Sequence, residues 1–334
     1  MKKDADIELA FKNIPNLTEQ DIILASYPGC GSSLLGGILI ELGIDYIEGY
    51  QEQIVPNQLN TNTVNPMWRS HWPQLAKKYD KEMIGLRGFK THFYPESFEN
   101  AAPKKAILLI RDARDAVISY YNWRKNFSDE TGTLYDFISR DGYYGKKPFD
   151  DWAEYIDAWE KWGKAHELLI VKYEDLKFTP EFAIREILSF LNIHLDNTKI
   201  QQAIENVSFS KIQQDESKSQ PHSNKKIFRK GLVGEWRGVL SNNMFSFIKK
   251  NTLEKLFRFG YEEKSVQLKT YPCTYILPKD GTVAPDDAYI IKEPIKPCFL
   301  GTLHGTVYVG IDTREIIRSV QYICETRNQE LQFL

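Results

Sequence analysis

Residues 21–43 read DIILASYPGCGSSLLGGILIELG. The opening DIILASY (21–27) is an almost unbroken apolar run of the length of a buried strand. Tyr27-Pro28-Gly29-Cys30-Gly31 carries turn chemistry, and from Ser32 an apolar helical pattern runs to Gly43. A strand that enters a helix through a Gly-rich turn presents uncommitted backbone N–H groups, and the helix dipole adds partial positive charge. Ser32 and Ser33 add hydroxyl donors at the helix start. Such a turn suits a phosphate or a sulfate. The spacing and lysine of a Walker A loop are absent, which disfavours an ATP-dependent kinase. A capped helix after a tight turn is also an ordinary structural feature, so this stretch by itself leaves both readings open.

Working outward, the same unit recurs. MIGLRGFK (83–90), KAILLIR (105–111) and LLIVKY (168–173) read as buried strands, and helical patterns follow the third and fourth, DAVISYYNWRK and PEFAIREILSFL. Continuous apolar strands alternating with helices predict an α/β fold, a parallel sheet flanked by helices, with ligands at the carboxyl ends of the strands. The connections 48–82 and 125–150 are long enough to be functional loops, and the polar segment 211–226 reads as a loop. From 265 the texture changes to short β-type runs between turn signals, then a helical pattern over 314–325. The expected organisation is one domain over 1–264 and a small β-rich appendage over 265–334.

The chain has 334 residues, and its 43 Lys and Arg against 45 Asp and Glu leave a formal charge of −2. No basic field argues for a nucleic-acid partner. Cys30, Cys273, Cys298 and Cys324 are dispersed without a C-x-x-C pair, so neither a disulfide framework nor a zinc site is indicated. The N-terminal residues lack the apolar stretch of a secretory signal, and the apolar run around 34–44 is interrupted by Gly36, Gly37, Glu41 and Gly43. A cytoplasmic protein without a membrane partner is expected; the sequence does not set the oligomeric state.

Two further stretches could hold an anion. In Arg111-Asp112-Ala113-Arg114-Asp115-Ala116-Val117-Ile118-Ser119-Tyr120-Tyr121, Arg111 ends a strand, where its fork can grip a phosphate bidentately, and Asp112 can cap the following helix. Ordinary surface charge on a helix explains that stretch equally well. In Arg229-Lys230-Gly231-Leu232-Val233-Gly234-Glu235-Trp236, two cations and two glycines could form a flap over an anion, or a solvated basic stretch.

In this order, the three stretches resemble motifs of the PAPS-dependent sulfotransferases, which move a sulfuryl group from 3′-phosphoadenosine 5′-phosphosulfate (PAPS). Ser26-Tyr27-Pro28-Gly29-Cys30-Gly31-Ser32-Ser33-Leu34 resembles the family's T-Y-P-K-S-G-T-T-W loop. Arg111 and Ser119, followed by Tyr120 and Tyr121, fit its 3′-phosphate motif, and residues 229–236 resemble its R-K-G-x-x-G-D-W flap. Lys90-Thr91-His92, Tyr173-Glu174-Asp175 and Val207-Ser208-Phe209 match further segments, so the resemblance spans about 20–240.

The resemblance implies a P-loop-like sulfotransferase fold and PAPS as co-substrate, with no metal required. It implies that the loop from Gly29 to Leu34, with Gly31, Ser32 and Ser33 foremost, holds the 5′ phosphate–sulfate. Arg111, Ser119, Arg229, Lys230 and Gly231 would bind the 3′-phosphate, and Tyr173, Ser208 and Phe209 would border adenine. His92 would be the general base and Lys90 the cation facing the sulfuryl oxygens. The sequence departs from the family where its first-loop lysine is Gly29 and its stacking tryptophan is Leu34. That leaves Lys90 as the compensating cation, or the chain as a catalytically impaired binder of PAPS and its product, adenosine 3′,5′-bisphosphate (PAP). For the acceptor, Tyr50, Trp68, His71, Trp72, Phe93, Tyr94, Phe127, Tyr143 and Tyr144 supply candidate aromatic walls, which favour a small, flat or cationic organic molecule. A hydroxyl or amine acceptor is expected, as in natural-product tailoring of a saxitoxin-like guanidinium toxin.

Overall fold

The computed structural model describes residues 2–50, 53–56, 72, 83–128, 130–142, 144–262, 288–292, 297–303 and 306–309. Contacts divide the chain into units 1–264 and 265–334. In the first unit, β1 (Ile22–Ser26), β2 (Asp45–Glu48), β3 (Arg87–Thr91), β4 (Lys105–Ile110) and β5 (Glu167–Lys172) form one sheet in the order β2-β3-β1-β4-β5. Every pairing is parallel. The expected α/β architecture of a parallel sheet flanked by helices is the one observed. β1 is buried throughout and β4 at all but Lys105, which explains why those runs read as continuous rather than alternating, whereas β5, expected as a buried strand, is an edge strand buried only at Val171. The second unit contains an antiparallel sheet of β6 (Ala288–Lys292), β7 (Pro297–Leu303) and β8 (Thr306–Val309). The helical pattern at 314–325 lies outside the described residues.

Ten α-helices are described. After α1 (Lys2–Asn13), α2 (Ser32–Glu41) follows β1 and α3 (Ala113–Phe127) follows β4. α4 (Leu134–Ser139) and α5 (Pro148–Trp162) lead to β5. Beyond it lie α6 (Tyr173–Phe178), α7 (Pro180–Phe190), α8 (Asn197–Asn206), α9 (Phe209–Ser219) and α10 (Lys250–Arg258). Asp112 caps α3 through the N–H of Arg114, as its position suggested.

Three expectations need correction. β2 was not foreseen, because its four residues DYIE carry acids at both ends. The connection 125–150 is not one loop: α3 runs to Phe127, a Thr133–Asp136 capping box starts α4, and Pro148 opens α5. The polar segment 211–226 is helical as far as Ser219. There Ile212 and Glu216 turn inward, and the Glu216 carboxylate accepts the N–H groups of Ile227 (2.7 Å) and Phe228 (3.1 Å). Most of 48–82 lies outside the described residues.

At the amino ends of β1 and β3, Asp21 and Arg87 form a buried two-pronged pair, Nε to Oδ1 at 2.7 Å and Nη2 to Oδ2 at 2.5 Å. Removing one partner would strand the other charge in the core. Asp21→Ala is expected to cost about 3–5 kcal/mol. The measurement is the urea midpoint, which should fall with little change in slope; an unchanged midpoint would show that the pair contributes nothing.

Candidate active site

Register places the functional side chains at the carboxyl edge of the sheet. Glu48 of β2 pairs with Lys90 of β3, and the Lys90 ammonium donates to Glu48 Oε1 at 2.8 Å. Ala25 of β1 pairs with Thr91, which sets His92 beside Ser26. The His92 Nδ1 approaches the Ser26 carbonyl at 2.6 Å. Since a carbonyl only accepts, Nδ1 carries the hydrogen and Nε2 keeps its lone pair. The His92 backbone N–H donates to the Tyr50 hydroxyl at 2.9 Å, with the two rings stacked. Burial, reinforced by the Lys90 charge and opposed by the Ser26 contact, holds the imidazole pKa well below its ordinary value. At neutral pH this histidine is an uncharged base.

Ile110 of β4 pairs with Lys172 of β5, so Arg111 and Tyr173 follow as neighbours. The guanidinium lies over the Tyr173 ring at 4.4 Å. Its Nη1 donates to the Gly29 carbonyl (3.0 Å) and its Nη2 to the Leu232 carbonyl (2.8 Å), while the buried Nε has no hydrogen-bond partner. One buried cation thus ties the first loop to the flap. Below it, burial pushes Glu174 up to about 7 against the pull of Arg111.

The first loop is built by close approach. Gly29 and Gly31 have φ of +86° and +94°. A Cβ on Gly29 would lie 2.2 Å from the Ala116 carbonyl oxygen of α3, and one on Gly31 would lie 2.5 Å from the Tyr173 ring. Gly31, not a serine, is the N-terminal cap residue of α2, and no side chain caps that end. The amides of Ser32 and Ser33 therefore have no acceptor within the helix, whereas that of Leu34 donates to the Gly31 carbonyl at 2.9 Å. These open amides, with the orphaned Arg111 Nε, fit an anionic phosphate ligand.

The flap is pinned by Asp115 of α3, whose carboxylate accepts the N–H groups of Gly234 (2.6 Å) and Trp236 (3.0 Å). Glu235 between them reaches both cations of the flap, Arg229 through two contacts (2.8 and 2.5 Å) and Lys230 at 2.9 Å.

A cavity of about 820 Å³ joins these parts. Gly29, Gly31, Ser32, Ser33, Leu34, Lys90, His92, Arg111, Ser119, Tyr173, Phe209, Arg229, Lys230 and Gly231 all line it. Two expected members do not: the Cys30 side chain is turned into the core, and Ser208 is the exposed cap residue of α9. Of the aromatic candidates, Tyr50, Trp72, Phe93 and Tyr144 line the cavity, whereas Tyr94 sits behind it and Phe127 packs on Trp123. Trp68, His71 and Tyr143 lie outside the described residues. Sequence reading missed Glu48, Asp151 and Tyr155. An isolated acid or tyrosine carries no motif, although Glu48 was within reach of anyone who paired DYIE with RGFKT.

A sulfotransferase domain model matches residues 19–260. The chain belongs to the sulfotransferase family. Human sulfotransferase 1C2 is 26% identical over 266 residues, which cover 74% of this chain and 84% of that protein. Mouse sulfotransferase SULT7A1, solved with PAP, superposes with a TM-score of 0.54 at 20% identity, over 77% of this chain and 92% of that one. Retinol dehydratase, solved with retinol and PAP, gives 0.52 at 18% identity, over 80% and 88%. The protein is a PAPS-dependent sulfotransferase with a variant first loop. No helix among the described residues is long and apolar enough to cross a membrane.

The variant loop makes a stability prediction with an internal control. Gly85 has the same φ, +86°, but open space around its Cβ position. Gly85→Ala should cost only the left-handed strain, about 1–2 kcal/mol. Gly29→Ala should cost distinctly more, because the Ala116 carbonyl belongs to helix backbone, and Gly29→Lys should not raise turnover. Equal losses in chemical denaturation would show that contact with α3 does not constrain the loop.

Proposed function

We propose that this sulfotransferase moves the sulfuryl group of PAPS to a hydroxyl or amine of a small organic acceptor. The observation that supports this best is the convergence on one cavity of the α2 amides, Arg111, the Arg229–Lys230 flap and the uncharged His92. In this reading the loop from Gly29 to Leu34 holds the 5′ phosphate–sulfate through Gly31, Ser32 and Ser33 foremost, while Cys30, whose N–H donates to the Tyr27 carbonyl at 3.2 Å, keeps the turn closed. Arg111, Ser119, Arg229, Lys230 and Gly231 take the 3′-phosphate, and Tyr173 and Phe209 border adenine. Ser208 is left the task of starting α9, which carries Phe209.

The acceptor's proton passes to His92 Nε2 as the acceptor oxygen or nitrogen attacks sulfur with its own lone pair. The S–O bond to the 5′-phosphate breaks in line, and the electron pair leaves with PAP. Sulfuryl transfer resembles phosphoryl transfer in asking mainly for positioning and charge stabilisation. Lys90 supplies the nearby positive charge. One of its three donors goes to Glu48 and the others remain for sulfuryl oxygens. An uncharged His92 in the same cavity as the nucleotide-binding groups favours a working enzyme over an impaired binder, which would have no use for a base. Among the described residues no group of three or more His, Cys, Asp and Glu could hold a metal ion, and the reading assigns no step to one. The aromatic lining at the acceptor end fits a flat natural product, a saxitoxin-like guanidinium compound among them. Retinol dehydratase, solved in a complex with retinol and PAP, gives a precedent for a small-molecule partner in this fold.

Calorimetry tests the nucleotide half. Ser119→Ala and Arg111→Ala should weaken PAP binding by roughly 1.5–3 kcal/mol for each lost contact to a charged group. Adenosine 5′-phosphosulfate, which lacks the 3′-phosphate, should be affected far less. Equal losses for both ligands would refute the assignment of these residues to the 3′-phosphate.

The base is tested by pH. His92→Ala should lower turnover by about 10²–10⁴-fold. Because the His92 pKa is depressed, the wild-type rate should stay flat on acidification through pH 6.5 and decline only below it. Lys90→Met removes part of that depression, so its acidic limb should move to higher pH whatever its residual rate. A wild-type limb at or above 6.5 would assign the proton to another group.

A further inference from the structure

Five carboxylates line the cavity: Glu48, Glu130, Asp141, Asp151 and Glu235. Glu48 is neutralised by Lys90, Glu130 by Arg140, and Glu235 by Arg229 and Lys230. Asp141 is exposed. Asp151, on the first turn of α5, is different. It is only 8% exposed, and its Oδ1 accepts the Tyr94 hydroxyl at 2.6 Å. Among the described residues it has no cationic partner and its Oδ2 has no hydrogen bond. The neighbouring Lys146 is paired with Glu154 at 2.6 Å and reaches Asp151 only through Tyr94, to whose hydroxyl its ammonium donates at 3.4 Å.

A buried acid without a counter-charge is costly. Burial pushes the Asp151 pKa up to about 6, with Glu154 adding to the rise and Tyr94 and Lys146 opposing it. It is still ionised at pH 7.5, inside a cavity whose other buried acids are satisfied. Around it the rings of Tyr144 and Tyr155 line the cavity, both packed edge-on against Tyr94 at 4.8 and 5.3 Å. A carboxylate among tyrosines is the chemistry that recognises an organic ammonium or guanidinium, through a charge-assisted hydrogen bond and ring contact.

We propose that Asp151 is the counter-ion for a cationic acceptor, so that the enzyme selects amines or guanidines over neutral molecules of the same shape. The proposal rests on the reading of this cavity as a sulfuryl-acceptor site.

Tyramine and 4-ethylphenol carry the same phenol and differ in the ammonium group, so they isolate the charge. Titrated onto PAP-saturated enzyme at pH 7.5, tyramine should bind at least about tenfold more tightly, and kcat/KM with PAPS should show the same preference. In Asp151→Asn the ratio between the two should collapse to within about threefold. PAP affinity of the variant reports whether it is folded, and the wild-type comparison stands even if it is not. Equal affinities in the wild type, binding of neither phenol, or a preference that survives Asp151→Asn would overturn the proposal. Selective tyramine binding without turnover of either phenol would uphold the cation site and count against sulfuryl transfer to such acceptors.

Discussion

The site depends on the register of parallel strands. Side chains at the carboxyl edge of such a sheet have no freedom to choose neighbours, because a shift by one residue would turn each to the opposite face. Here three pairings set the chemistry. Glu48 beside Lys90 makes an ion pair, Ala25 beside Thr91 brings His92 to the Ser26 carbonyl, and Ile110 beside Lys172 stacks Arg111 over Tyr173. Each interaction fixes a protonation state or an orientation that a loop-borne residue would have to find by itself. The core beneath, with β1 and β3 buried throughout, is what keeps the register from slipping.

The second constraint is the crowding between the first loop, α3 and β5. Gly29 touches the backbone of α3 and Gly31 touches Tyr173, so loop, helix and strand end act as one piece. Arg111 completes it by donating to Gly29 on one side and to Leu232 of the flap on the other. Asp115, one turn into α3, holds the flap by two amides. The flap is therefore an extension of the same helix start that positions Arg111.

Much of this was legible in the sequence, for reasons that can be named. Apolar runs announce strands whether central, as β1 and β4, or at the edge, as β5, and the Gly-rich turn marks the first loop, while β3 could be read only from the apolar residues that lead into it. Motif residues were legible because their spacing along the chain is short and fixed, as with Arg111 just before α3 and Ser119 within it. Features set by tertiary neighbours were not. β2 is too short and too polar to stand out, and with it went the partner of Lys90. The segment after Phe209 reads as polar because only Ile212 and Glu216 of α9 are turned inward. Cys30 shows the opposite failure: its place in a motif suggested a ligand contact, while its small side chain packs into the core.

Glu235 gives the donor site an unusual starting condition. Its carboxylate occupies both flap cations, with two contacts to Arg229 and one to Lys230. On the proposed function, a nucleotide phosphate arriving there meets two cations already contacted by one internal carboxylate. Binding is then a substitution of one anion for another. The Coulombic gain is the difference between a dianion and a carboxylate, and the displaced side chain must find water or a new donor. Such a seat discriminates by charge density: a singly charged ligand gains little by evicting Glu235, whereas a terminal phosphate gains a great deal. Under that proposal the flap would screen ligands by charge before any base or sugar is read.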